Sequence, residues 1–131
     1  MPEREGSPLT GFLFGRMFAK KYRFSPTDAD RLREALRERL AFLELSLARE
    51  GVRNPARIRQ AARLCAGLLA ELSNKKATAA LPLVTAEKSE IFLALESYLN
   101  NLQAQNGWRE SPSLEKEITA TAALQGRLRS G

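Results

Sequence analysis

Leu32, Leu36, Leu40, Leu43 and Leu47 follow one another at spacings of four, four, three and four residues. On an α-helix that spacing places all five on one stripe, and the period-two alternation of a strand cannot produce it. Arg31, Arg33, Glu34, Arg37, Glu38 and Arg39 fill the other faces. The stripe therefore predicts a long helix with one side turned toward a core. Ser25-Pro26 marks its start, because the serine oxygen satisfies an orphan N–H and proline has no N–H to lose at the first helical position. Asp28, three residues after Ser25, sits in a capping-box-like position. Gly51 is the expected stop, since glycine tolerates the left-handed conformation found after helices.

The same cap-then-proline pairing recurs at Ser7-Pro8, Asn54-Pro55 and Ser111-Pro112. After Asn54-Pro55, Ile58, Ala61, Cys65, Leu68 and Leu72 repeat at three, four, three and four. The short Gly51–Asn54 link makes these two helices an antiparallel αα-hairpin. Residues Ser73 to Val84 break the pattern with a polar Ser-Asn-Lys-Lys run and Pro82, and read as a loop. Thr85 then caps a helix carrying Ile91, Leu95, Leu99 and Leu102, which Asn106-Gly107 stops. A last helix runs from about Pro112 to Leu128 with Leu114, Ile118 and Leu128; its centre, Thr119 to Gly126, is small and weakly apolar. Upstream, roughly Leu9 to Tyr22 forms a first helix, where Phe12, Phe14, Phe18, Tyr22 and Phe24 alternate with Arg16, Lys20, Lys21 and Arg23. No strand pattern, internal repeat or low-complexity tract stands out. The expected fold is all-α: a compact bundle of four to five helices, mostly antiparallel. Residues 1–107 form the bundle, and 108–131 a C-terminal helix or loosely attached tail.

A chain of 131 residues is long enough for one domain with one core. The single cysteine excludes an internal disulfide and fits a reducing compartment. The apolar run Leu9–Phe18 follows Glu3 and Glu5 and contains Arg16, unlike a secretory signal, and it is too short to span a membrane. The expected location is cytoplasmic.

The chain has no histidine, which removes the usual general base, the usual metal ligand and every histidine-dependent triad. One cysteine without histidine cannot build a zinc site. Cys65 falls on an apolar stripe without a partner base and reads as a core residue. Gly11 and Gly15 lack the spacing and the Lys-Ser/Thr of a phosphate loop. Carboxylates mostly lie three or four places from a cation, as in helix-surface ion pairs. The expectation is a non-enzyme with no catalytic residue, metal or cofactor.

Twenty-one Lys and Arg face 15 Asp and Glu, a net charge of +6. The excess is concentrated. Arg53, Arg57, Arg59, Arg63, Lys75 and Lys76 face only Glu71, and Arg16, Lys20, Lys21 and Arg23 face no acid within their stretch, so the remainder is net acidic. A surface tracking phosphates has this character; so does a solvated helix face. Phe12, Phe14 and Phe18 are candidates for a protein interface, or for core aromatics flanked by charge. The hairpin from Arg49 to Leu64 superficially resembles a helix-turn-helix, although its alanine-to-glycine spacing is one residue short.

Two segments resemble a known family. Gly11-Phe12-Leu13-Phe14-Gly15-Arg16-Met17-Phe18-Ala19 is similar to the opening of a helical region in the large subunit of CRISPR Cascade complexes. Pro82-Leu83-Val84-Thr85-Ala86-Glu87-Lys88-Ser89-Glu90-Ile91-Phe92-Leu93-Ala94-Leu95 resembles the start of that region's last helix. Together they bracket residues 9 to 103. The family's Gly-Tyr-Tyr-His-Gln run is replaced by Leu95-Glu96-Ser97-Tyr98-Leu99, and the chain after Gly107 has no counterpart. The resemblance implies a non-catalytic small subunit of an RNA-guided antiviral complex. It would contact the guide–target duplex backbone, stabilise the displaced DNA strand, and assemble with other subunits and with copies of itself. Base pairing reads the sequence there, so the protein needs only a basic, shape-tolerant surface. The residues alone leave open a helical adaptor for a protein partner, or a DNA-binding regulator built on the Arg49–Leu64 hairpin.

Overall fold

The computed structural model describes residues 19–74 and 80–130. Its elements are β1 (Lys20–Tyr22), α1 (Pro26–Leu47), α2 (Pro55–Asn74), β2 (Leu81–Leu83), α3 (Thr85–Trp108) and α4 (Pro112–Ser130). The fold is an all-α bundle to which a two-stranded antiparallel ribbon is added.

α1 begins as its sequence dictates: Ser25 Oγ accepts from the Asp28 N–H at 3.1 Å. It ends at Leu47, before Gly51, with Ala48 as the cap. Gly51 (φ 71°) and Asn54 (φ 51°) then take left-handed conformations that turn the chain. α2 returns antiparallel, and Arg33 in the first third of α1 donates to the Leu72 carbonyl in the last turn of α2 at 3.0 Å.

The ribbon corrects the sequence reading in two places. Lys20–Tyr22, placed above at the end of a first helix, is a strand, and Pro82, placed in a loop, lies within its partner. The alternation was present in the sequence: Lys21 is exposed, Tyr22 buried, Arg23 exposed and Phe24 buried. Pro82 pairs with Lys21 on a strand that has one neighbour among the described residues, and a missing N–H is tolerated at such an edge. Arg16, Phe12, Phe14, Phe18, Lys75 and Lys76 lie outside the described residues.

α3 also differs at both ends. Its cap is Val84, not Thr85, and it uses the acidic half of a capping box: the Glu87 carboxylate accepts from the Val84 N–H at 3.0 Å. Asn106-Gly107 does not stop it; the helix continues to Trp108. Asn106 Oδ1 instead accepts from the Ser111 N–H at 3.2 Å, bracing the turn into α4.

α4 packs lengthwise on α3. Its small, weakly apolar centre allows that approach. Thr121 is fully buried and donates to the Glu117 carbonyl at 2.7 Å, and Gln125 donates to Glu96 at 2.6 Å. Leu124 and Leu128 join the main core with Leu32 and Leu36 of α1, Cys65 and Leu68 of α2, and Ile91 and Leu95 of α3. Tyr22, Phe24, Leu81 and Leu83 of the ribbon segment join the same cluster. Each such leucine contributes about 1.5–3 kcal/mol of burial free energy. No helix among the described residues is long and apolar enough to cross a membrane.

Candidate nucleic-acid interface

The arginines of the hairpin divide into two kinds. Those of α1 are neutralised: Arg31 pairs with Asp28 and Glu117 at 2.6 Å each, Arg33 with Asp30, Arg37 with Glu34 at 3.6 Å, and Arg39 with Glu90 at 2.7 Å. The Arg31 guanidinium is held above its ordinary pKa, chiefly by its hydrogen bonds to Glu117. Those of the following turn and of α2 differ. Arg53, Arg57, Arg59 and Arg63 are all exposed, and among the described residues no carboxylate lies within ion-pair distance of them. The first turn of α2 holds no acid either. Two of these cations sit at the positive end of the helix dipole, which disfavours them unless an anion is nearby.

The four do not make one face. Arg57 lines a groove of about 590 Å³ between α1, α2 and α3, with Arg39, Leu43, Ala61, Leu64 and Leu93. Arg59 and Arg63, one turn apart, point away from it, because two residues on from Arg57 is a rotation of about 200°. Arg23, two residues before the α1 cap, and Arg53, in the turn after α1, lie at opposite ends of a 22-residue helix about 33 Å long.

A second basic patch gathers around the ribbon. Lys20, Lys21 and Arg23 are exposed there, and distant parts of the chain join them. Lys20 and Lys88 each place Nζ near the Tyr22 ring, at 5.6 and 5.7 Å from its centre, and Lys88 donates to the Tyr22 hydroxyl at 3.2 Å. Arg127 lies 5.1 Å over Phe24 and donates to the Arg23 carbonyl; Arg129 lies 5.1 Å over Phe92. Tyr22 and Phe24 are core residues capped by cations, not free stacking platforms. Sequence reasoning missed Lys88, Arg127 and Arg129. No spacing signals them, because only the fold brings α3 and the end of α4 to β1.

A groove between α1, α3 and α4 has the opposite character, lined by Asp30, Glu34, Glu38, Glu117 and Tyr98. The Tyr98 hydroxyl is pushed up by burial and then by Glu117, Glu34 and Glu38. Cys65 is fully buried, with Sγ 3.8 Å from Glu90 Oε1. Burial, then the Glu90 charge, raise its thiol to about 11. Labelling by a thiol-specific disulfide reagent at pH 8 is therefore expected to proceed only as fast as the chain opens, and at full speed in denaturant. Fast labelling of the folded chain would contradict this burial. A folded-state pKa above the unfolded one favours the folded state at low pH, so this group's contribution is lost as the pH rises from about 9 toward 11.

The Arg49–Leu64 segment forms the end of a lengthwise hairpin whose first helix runs for 22 residues. No group of three Asp, Glu or Cys among the described residues is placed to hold a metal ion. No protein-family model matches the chain, and no curated protein or solved structure matches it.

Proposed function

We propose that the chain is a non-catalytic nucleic-acid-binding small subunit of an RNA-guided, Cascade-type antiviral complex, working in the cytoplasm beside other subunits. It contacts the backbone of the guide–target duplex and steadies the displaced strand. The observation that carries this reading is the contrast within one hairpin: every arginine from Arg31 to Arg39 has a carboxylate, and among the described residues none from Arg53 to Arg63 does. Uncompensated guanidinium groups along an exposed helix suit phosphates, which they bind without reading sequence. The patch of Lys21, Lys88, Arg127 and Arg129 offers a second point of backbone contact. The resemblance of residues 11–19 and 82–95 to the Cascade helical region supplies the type of assembly.

Gel-shift titration with single-stranded and duplex DNA of unrelated sequences, at two salt concentrations, tests the reading. Binding should be independent of sequence and weaken steeply with salt. If each arginine meets one phosphate, replacing Arg57, Arg59 and Arg63 by alanine should flatten the log–log salt slope by about 2–3, with helix content unchanged. An unaltered slope would remove α2 from the interface. A helical adaptor for a protein partner is the second reading, favoured by Trp108, which is 91% exposed at the end of α3. Absence of DNA and RNA binding at low salt would leave the adaptor reading in front.

A further inference from the structure

Outside the core stripe, α1 carries a second pattern. Glu38, Phe42, Leu45 and Arg49 are spaced four, three and four, which puts them on one side of the helix. Phe42 is 63% and Leu45 71% exposed, Ala41 and Arg49 are exposed as well, and Glu38, also exposed, stands at the rim of the acidic groove beside α3. Arg49 lies two residues past the end of α1, in a turn where its backbone N–H donates to the Ser46 carbonyl at 3.2 Å. Glu38 accepts only a 3.3 Å hydrogen bond from Asn101, and among the described residues neither Glu38 nor Arg49 is in an ion pair. Two large apolar side chains thus stand in water, with an acid one turn before them and a base one turn after.

We infer that this face is a two-fold interface, on which α1 of a second copy of the chain packs antiparallel. A two-fold contact must be complementary to itself. An axis passing between Leu43 and Glu44 satisfies that for all four residues together. It sets Phe42 of one copy against Leu45 of the other, and Glu38 against Arg49, twice each. The exposed Ala41 leaves the seam low enough for the backbones to approach. The spacing of four, three and four is also that of a helix–helix seam flanked by charge. A different partner would need its own matching order of charge and apolar groups, whereas a second copy already has it. Arg59 and Arg63 take no part, so the contact stands whether or not the chain binds nucleic acid.

The contact is about three turns long, below the roughly 1,200–2,000 Å² of a standard interface, so the dimer is weak. A dissociation constant on the order of 10–100 μM is expected, which makes the chain monomeric at about 1 μM and largely dimeric near 1 mM. Sedimentation equilibrium on the full chain across that range tests it. Leu45→Glu, which sets like charges near the axis, should leave a monomer throughout, with far-ultraviolet circular dichroism unchanged. E38R and R49E should each abolish the dimer, and E38R/R49E in one chain should restore it. A wild-type monomer over the whole range, a dimer that survives Leu45→Glu, or a double variant that stays monomeric would each overturn the inference. Should Leu45→Glu lose helix content, the charge exchange decides alone.

Discussion

Leu36→Ala is expected to lower the unfolding free energy by about 3 kcal/mol, within the range of roughly 2–5 kcal/mol for leucine truncations in cores. Leu36 is fully buried at the middle of α1, where it belongs to the cluster shared with α2, α3 and α4. Truncation removes three carbons from water-free contact and leaves a cavity that long, mutually braced helices cannot close. A domain of this size has a total stability of about 5–15 kcal/mol, so the loss is a large share of it. The melting midpoint should fall by about 10 °C. Urea unfolding followed by circular dichroism checks the result. Leu93→Ala is the control: that side chain is 45% exposed, and its loss should cost less than about 1 kcal/mol. Equal effects at the two positions would contradict the burial assigned to α1.

Arg39→Ala is the second large effect. Arg39 Nε donates to Glu90 Oε1 at 2.7 Å, and the two side chains are only 17% and 12% exposed. The pair ties the second half of α1 to the first half of α3. Removing the guanidinium leaves the Glu90 carboxylate facing the Cys65 thiol, with no other cation in ion-pair contact among the described residues. Full burial of an orphaned charge costs about 3–5 kcal/mol; the partial access of water here brings the expectation to about 2 kcal/mol. Glu90→Ala should cost a similar amount. The double change Arg39→Met with Glu90→Leu should recover most of the loss, because no charge then stays behind. A thermodynamic cycle measured in urea tests this, and additive single and double effects would show that the two side chains are not coupled.

The helices were legible because their signals are local. The leucine stripe of α1, the Ser25 cap and the left-handed Gly51 depend on residues within a few turns of one another, and the structure places each near its expected position. The ends of helices were less legible. Val84 rather than Thr85 caps α3 because Glu87 reaches back to it, and Asn106-Gly107 is overrun because Asn106 is engaged with Ser111. β1 was missed although its alternation is written in Lys21-Tyr22-Arg23-Phe24. A three-residue strand gives too short a pattern to outweigh the aromatic and basic run before it, and its partner is about 60 residues away.

The candidate interface was half legible for the same reason. Composition located the surplus arginines of α2, since charge per segment is a property of the sequence. It could not show which arginines are spent on carboxylates. Glu90 and Glu117, which neutralise Arg39 and Arg31, are 51 and 86 residues away in the chain. Nor could it show that Arg57 turns into a groove while Arg59 and Arg63 turn out, or that Lys88 and Arg127 join Lys20 and Arg23. The sequence alone determined an all-α chain, its helical hairpin, a buried Cys65 and a basic surplus, because local periodicity and composition suffice for those. Tertiary structure decided the pairing of charges, the ribbon and the exposed face of Phe42 and Leu45, because each depends on which distant helices come to lie side by side.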